Sequence, residues 1–434
     1  MTRSSATAIV RRMEQQSNIA IIGGGPAGLM AAQILAEAGQ RVTVYDRMPT
    51  PSRKLLMAGR GGLNLTHSEP LETFISRYGE AAEWLAPYIQ AFPPEKLRAW
   101  CENLGQETFT GSSGRVFPRS MKAAPLLRAW LNRLEQLGVR FAARHYWQGW
   151  EGNALRFTDA EGKPVLVTPD ATLLALGGAS WPRLGSDGSW TNILENARIP
   201  LAPLRPANCG FTVNWSDYFK ERFAGQPLKP VAMTHNGVTR QGEAMITAQG
   251  IEGGVIYALS TALRESIATT GKATLKLDLR PGQPTEALAH KLENTPRGNK
   301  SFSTYLRKCG LSPLAIALLR ETSAQELAGL TPTALAAHMK ALPVTLTGTT
   351  GIARAISTAG GISKEALDEH FMLHEKPGIF AAGEMLDWEA PTGGYLLQAC
   401  FSTAVAAAQG ILQFLDKRRL LISEPYNPVQ LNLL

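Results

Sequence analysis

"NIAIIGGGPAGLMAAQILAEAGQRVTVYDR", residues Asn18 to Arg47, reads as strand, turn, helix and strand. Ile19 to Ile22 is a short apolar run dominated by β-branched isoleucine, as a buried strand requires. Gly23, Gly25 and Gly28 fall on the spacing G-x-G-x-x-G. The first makes a tight turn, the second lets backbone approach a pyrophosphate, and the third lets the helix pack close to the sheet. The helix start, with Ala27 in its first turn, offers unpaired N–H groups and a partial positive charge to phosphates. The second strand, Arg41 to Tyr45, ends at Asp46, where a carboxylate accepts hydrogen bonds from adenosine ribose hydroxyls. Gly23, Gly25, Ala27, Gly28 and Asp46 are therefore expected to bind a dinucleotide.

This fingerprint alone does not separate NAD from FAD, and two later segments bear on the choice. "DATLLALGGASWPRLGSDGSW" (Asp170 to Trp190) is an apolar strand that ends in Gly177-Gly178, in the manner of the second dinucleotide motif of FAD proteins. In "PGIFAAGEMLDWEAPTGGYLLQACFSTAVAAAQGIL" (Pro377 to Leu412), a strand from Gly378 to Ala382 runs into Gly383-Glu384. Gly393-Gly394 then opens an Ala-rich helix. This order places an acid near the ribityl or pyrophosphate region and a helix N-terminus at the flavin's pyrimidine edge. Three separated motifs point to one FAD domain built from both ends of the chain.

The chain has 434 residues, 44% hydrophobic and 18% charged, which fits an enzyme of two or three domains rather than a disordered protein. Cys101, Cys209, Cys309 and Cys400 are spread along the chain without a CxxC pair. Neither a zinc site nor a disulfide framework is expected, and reduced thiols in the cytoplasm are. Residues 1–17 lack a signal-peptide core, and no apolar run is expected to span a bilayer. The formal net charge of +8 permits an anionic partner such as nucleic acid without requiring one.

The middle of the chain changes character. Cys209 to Asn214, Val231 to Val238 and Thr274 to Asp278 have strand patterns, and "NGV" (Asn236 to Val238) carries a turn. From Pro284 to about Leu342 the pattern is helical, with Pro313 and Pro332 near helix starts. Lys300, Arg307, Lys308 and Lys340 are scattered over these helices, as on a solvated face. The expected class is α/β: an FAD-binding, Rossmann-like domain of the glutathione-reductase type, with an inserted β-rich domain and a small helical subdomain. The boundaries read as 18–195 and 353–418 for the FAD domain, 196–283 and 341–352 for the β-rich domain, and 284–340 for the helical subdomain.

Seven motifs carry a family resemblance over almost the whole chain: "GGGPAGLMAA", "RKLLMAGRGGLNLTHSEP", "GRVFPRSMKA", "LGGASWPRLGSDG", "ITAQGIEGG", "AISTAGGI" and "GEMLDWEAPTGGYLLQACFS". With them the sequence resembles the BaiN/YhiN-like FAD-dependent oxidoreductases, also called the aminoacetone oxidase family. The resemblance implies that the loop after the second strand lies along FAD, with Lys54, Gly59, Asn64 and Thr66 lining it. Gly61 would add backbone amides there, and Arg53, Lys54 or Arg60 would neutralise pyrophosphate. Two positions depart from the family pattern. Gly62-Leu63 stands where relatives carry Arg-Cys, and Leu396 follows Tyr395 where relatives carry Asn.

Hydride chemistry would belong to the flavin, with the protein supplying a substrate cavity and a proton donor. Tyr395, His67 and Arg115 are the catalytic candidates, and His235 is expected to be structural. No metal site is expected. Family activities include reduction of a conjugated steroid ring and of a uridine in ribosomal RNA. The leading expectation is hydride transfer from reduced flavin to a polarised C=C, with NAD(P)H as donor and a nucleobase in ribosomal RNA among the substrates. An amine oxidase using oxygen is one alternative. A flavin-containing RNA-binding or redox-sensing protein without turnover is another.

Overall fold

The computed structural model describes residues 16–322 and 327–423, apart from the side chains of Arg60, Ile422 and Ser423. Most of the amino-terminal tail and the Arg60 side chain therefore lie outside the described residues. The chain divides into two compact units. One runs up to Arg205 and resumes at Thr358; the other is Pro206–Ser357. The sequence pattern puts these crossings at 195/196 and 352/353. The first crossing falls later because Ile199 is buried in the first unit's core, with Ala197, Leu201 and Leu204 packed against it.

The first unit is built on a five-stranded parallel sheet. Its strands are β1 (Asn18–Ile22), β2 (Arg41–Asp46), β3 (Arg140–Ala143), β4 (Ala171–Leu174) and β5 (Ile379–Ala381). Their order is β5-β4-β1-β2-β3. Ile22 lies level with Tyr45 on one side and Leu174 on the other, so the three strands end together and their following loops share one edge.

Helix α1 (Pro26–Glu37) packs against α3 (Tyr395–Ser423), with a short α2 (Arg53–Ala58) between them in sequence. Ala31 and Ala32 of α1, and Ala399, Ala404, Ala407 and Ala408 of α3, are almost fully buried, and their small side chains allow close approach. Gln33 of α1 supplies two buried polar contacts. Its Oε1 accepts from the indoles of Trp100 and Trp130 at 3.1 and 2.9 Å.

Two expectations are corrected here. The segment after the second strand that carries Lys54 to Thr66 is not one loop: "RKLLMA" forms α2 because straight-chain residues favour helix, and Thr66–His67 forms a strand. The expectation of no bilayer-length segment fails on length and composition. Residues Tyr395–Leu421 meet both measures, but 67% of their most apolar window is buried inside the protein.

The second unit centres on a seven-stranded sheet whose described pairings are all antiparallel. Strands Pro227–His235 and Val238–Ile246 form a hairpin around Asn236 (φ 45°) and Gly237 (φ 78°), which is the turn that "NGV" signals. Helices Thr285–Asn294, Phe302–Lys308, Pro313–Thr322 and Pro332–Lys340 lie between strands Ala273–Asp278 and Leu342–Leu346. Leu288, Leu292, Leu306, Leu318 and Leu335 join those strands in one core. His235 is buried here. Its Nδ1 lies 3.0 Å from the Thr274 carbonyl and its Nε2 2.8 Å from the Ser266 hydroxyl. The carbonyl accepts only, so Nδ1 carries the proton and Nε2 accepts from Ser266.

Candidate active site

A cleft opens where the loops after β1, β2, β4 and β5 meet, the edge at which open α/β sheets bind ligands. Its free space, including the solvent-open mouth, is about 1000 Å³. Gly23, Gly25, Ala27, Asp46, Lys54, Gly177 and Glu384 line it. Gly28 lies behind the wall: a Cβ there would stand 1.9 Å from the Gly23 carbonyl oxygen. Gly23 itself has φ +110°, and its Cβ would stand 2.2 Å from Ala175 O. These two glycines let turn, helix and strand approach each other.

Gly25 is different. It is the N-cap of α1, makes no side-chain cap, and a Cβ there would meet nothing within 4 Å. Gly25, Pro26 and Ala27 border the cleft, and because Pro26 has no N–H the first helical donors are those of Ala27 and Gly28, a cradle that fits an anionic pyrophosphate. Asp46 shapes the same corner, accepting from Gly24 N at 2.9 Å and Met48 N at 2.7 Å. Burial pushes its carboxyl above the ordinary value despite those bonds.

Across the cleft, Lys54 Nζ donates to Glu384 Oε2 and to Ser180 Oγ, each at 2.7 Å. Glu384 Oε1 accepts from Thr358 N at 3.1 Å. Cys400 is in the wall beside them. Burial first, and Glu384 second, push its thiol well above the ordinary range, so it stays protonated.

At the other end Arg47 is ion-paired with Asp187 and lies 5.0 Å over the Tyr146 ring. Burial pushes the Asp187 carboxyl up, but Arg47 and Ser189 outweigh it and leave it below the usual value. Arg47, Ser180, Asp187 and Cys400 were missed in the sequence. Asp187 had one local signal, its place between Gly185 and Gly188. The other three became visible only when distant segments met.

Of the remaining cofactor candidates, Gly178 and Gly383 sit behind the cleft. A Cβ at Gly178 would stand 2.3 Å from Thr358 Oγ1, and one at Gly383 2.8 Å from Ala27 Cβ. Gly59, Gly61, Asn64, Thr66, Gly393 and Gly394 are outside the lining. Gly59 abuts Ala123, and Gly61 has nothing within 4 Å. Asn64 donates to Thr66 O at 2.8 Å and Val116 O at 3.2 Å. Buried Thr66 donates to Gln398 Oε1 at 2.8 Å. A Cβ at Gly394 would stand 2.5 Å from Thr66 Cα, which seats the start of α3 on the Thr66 strand, and Gly393 lies beside the Tyr395 ring. At the divergent pair, Gly62 has φ +112° with the Met121 methyl beside it, and Leu63 is buried.

Tyr395 and His67 are brought together, their rings stacked at 5.6 Å. Tyr395 donates to Glu69 Oε1 at 2.7 Å, and Arg77 grips Glu69 with two bonds of 3.0 and 2.7 Å. Burial and Glu69 push the Tyr395 hydroxyl far above its ordinary value. His67 Nδ1 accepts from Glu69 N at 3.1 Å, so Nε2 carries the proton given to Ser113 O at 2.9 Å. Arg115 pairs with His67 across the strands, and its side chain is exposed. None of the three lines the cleft. Among the described residues no group of three His, Cys, Asp or Glu forms a metal site.

The Rossmann-like domain with its open cleft is that of an FAD-dependent oxidoreductase. Residues 17–410 match the model of the HI0933-like protein Rossmann domain, and the chain belongs to that family. The BaiN/YhiN-like resemblance stands with it. Among curated relatives, the 3-dehydro-bile acid delta(4,6)-reductase of Clostridium scindens is 26% identical over 422 residues, covering 91% of this chain and 98% of that protein. The ribosomal RNA dihydrouridine synthase of Escherichia coli is 25% identical over 410 residues, covering 90% and 97%. The fold is shared with 3-ketosteroid delta1-dehydrogenase from Sterolibacterium denitrificans, at a TM-score of 0.52 and 11% identity, covering 92% of this chain and 100% of that one.

Proposed function

We propose that this protein delivers hydride from reduced FAD to a polarised carbon–carbon double bond, with NAD(P)H as electron donor and a nucleobase in ribosomal RNA as substrate. The observation that carries the chemistry is full-length similarity to two relatives whose names describe such reductions, of a bile acid and of uridine. Bound FAD would supply the hydride.

The chain's own residues would hold and orient it. The uncapped start of α1 and Gly25 would take the pyrophosphate, and Asp46 the ribose. Lys54 and Glu384 would face the chain between pyrophosphate and ring. The corner of Gly59, Gly61, Asn64, Thr66, Gly393 and Gly394 would border the flavin, with Gly177 and Gly178 at its side. Gly23, Gly28 and Gly383 would keep the backbone close enough to shape this site. On the substrate side we put forward Tyr395, His67 and Arg115. Tyr395 already donates its hydrogen bond to Glu69, so its part would be to fix the start of α3 rather than to release a proton. Buried Cys101, Cys309 and Cys400, none of them in a disulfide, suit a reducing compartment, and we place the protein in the cytoplasm.

The test is a visible spectrum of the purified protein followed by anaerobic NADPH or NADH. A yellow protein that bleaches, and is reoxidised by large-subunit ribosomal RNA with formation of dihydrouridine, is the expected result. A protein that stays yellow points to oxidation of the substrate itself. A colourless protein that takes up no FAD sinks the proposal.

A further inference from the structure

Residues 280–310 of the second unit contain six lysines and arginines against two glutamates, half of the chain's formal +8. Lys300 and Lys308 are exposed and adjacent; the Lys308 ammonium holds that of Lys300 below its ordinary value. A methyl group at Gly310 would stand 3.0 Å from Arg280 Nη1 and 3.3 Å from Lys291 Nζ, so a second pair of cations flanks a point two residues beyond Lys308. Arg307 is exposed beside them. None of these five is ion-paired with a described residue. Lys340 differs, because Asp278 neutralises it at 2.6 Å. Cations left side by side without carboxylates repel each other, and an anionic partner would relieve that repulsion.

We propose that this face of the second unit, formed by Arg280, Lys291, Lys300, Arg307 and Lys308, binds the phosphate backbone of RNA. The proposal deepens the nucleobase reading above and rests on it. A membrane is the less suitable polyanion. Surface-binding helices pair their cations with exposed apolar side chains, and the exposed large hydrophobic residues all lie outside 280–310. Phosphate contacts of this kind position a nucleic acid without reading its sequence.

The experiment is fluorescence anisotropy of the full chain with a labelled RNA hairpin bearing a uridine loop, between about 50 and 200 mM KCl. Affinity is expected to fall linearly on a log–log salt plot. Lys300→Glu/Lys308→Glu should bind at least about tenfold more weakly, with the slope reduced by about 2. Lys300→Gln/Lys308→Gln should lie between. Failure of the wild type to bind at low salt, or wild-type binding by both variants, overturns the proposal. Binding to phosphatidylserine vesicles but not to RNA, lost in the same variants, overturns it in favour of a membrane surface. NADPH bleaching of the flavin is followed in parallel. Bleaching with no RNA binding leaves the reductase standing and removes the surface. Patch-dependent RNA binding without bleaching does the reverse.

Discussion

Lys54 and Glu384, 330 positions apart in the chain, are joined by a 2.7 Å ion pair in the wall of the cleft. The pair ties α2 to the turn after β5, and the Glu384 side chain is only 13% exposed. Removing one partner strands the other in a partly dry site, at about 1–3 kcal/mol. Lys54→Met and Glu384→Gln should each lower stability in denaturant melts of the FAD-free protein. The double variant should lose less than the sum of the two. Strictly additive losses would show that the charges do not act on each other.

Gly25 and Gly28 should part company on substitution. Gly28→Ala drives a methyl into the Gly23 carbonyl, where backbone must move. It should cost about 1–3 kcal/mol with or without FAD. Gly25→Ala meets no protein atom within 4 Å. Its FAD-free melting temperature should stay near wild type while FAD affinity falls at least about tenfold, or 1.4 kcal/mol. Tight FAD binding by Gly25→Ala would mean that the cradle does not take the pyrophosphate.

Glu69 should contribute an acid-sensitive part of stability. Its carboxyl is held below the ordinary 4.5, first by the Arg77 bonds and then by Tyr395, with burial opposing. A lowered folded value favours the charged form in the native state. The contribution is therefore complete above about pH 4.5 and is lost as pH falls through the folded value. The stability gap between wild type and Glu69→Gln should shrink as urea melts are taken from about pH 6 to about pH 3. A gap independent of pH would refute the pairing.

Gln33→Met keeps much of the volume but orphans the indole N–H groups of Trp100 and Trp130. At about 1–3 kcal/mol for each unsatisfied donor, the loss should reach about 2–6 kcal/mol. Thermal unfolding measures it directly. A loss under 1 kcal/mol would mean that water reaches both indoles.

The β1–α1–β2 unit was legible because its signals are local: an apolar run, three glycines at fixed spacing and an acid at a strand end. Even so, spacing did not distinguish Gly25, which faces the opening, from Gly28, which packs against backbone. That difference lies in the third dimension. The Arg47–Asp187 pair and the Lys54–Ser180–Glu384 knot were not legible, because each joins segments that only the sheet brings together. Tyr395 was placed correctly at the start of α3. Its engagement by Glu69 and Arg77 depends on a helix far upstream, Leu71–Ser76, and on the residues at its two ends.

The split of the parallel sheet between distant parts of the chain has a consequence for biosynthesis. β1 and β2 leave the ribosome early, but β5 and Glu384 follow only after the whole second unit has been made. At roughly 5–20 residues per second, the first half of the cleft waits about 20–70 s for its other wall. Nascent chains in that interval display the glycine turn and, for roughly the last 10–40 s of it, the open edge of β4 without the partner that later covers it. Under the proposed reading cofactor loading would wait for the late stage of translation, and chains truncated before Ile379 lack the edge strand that pairs with β4.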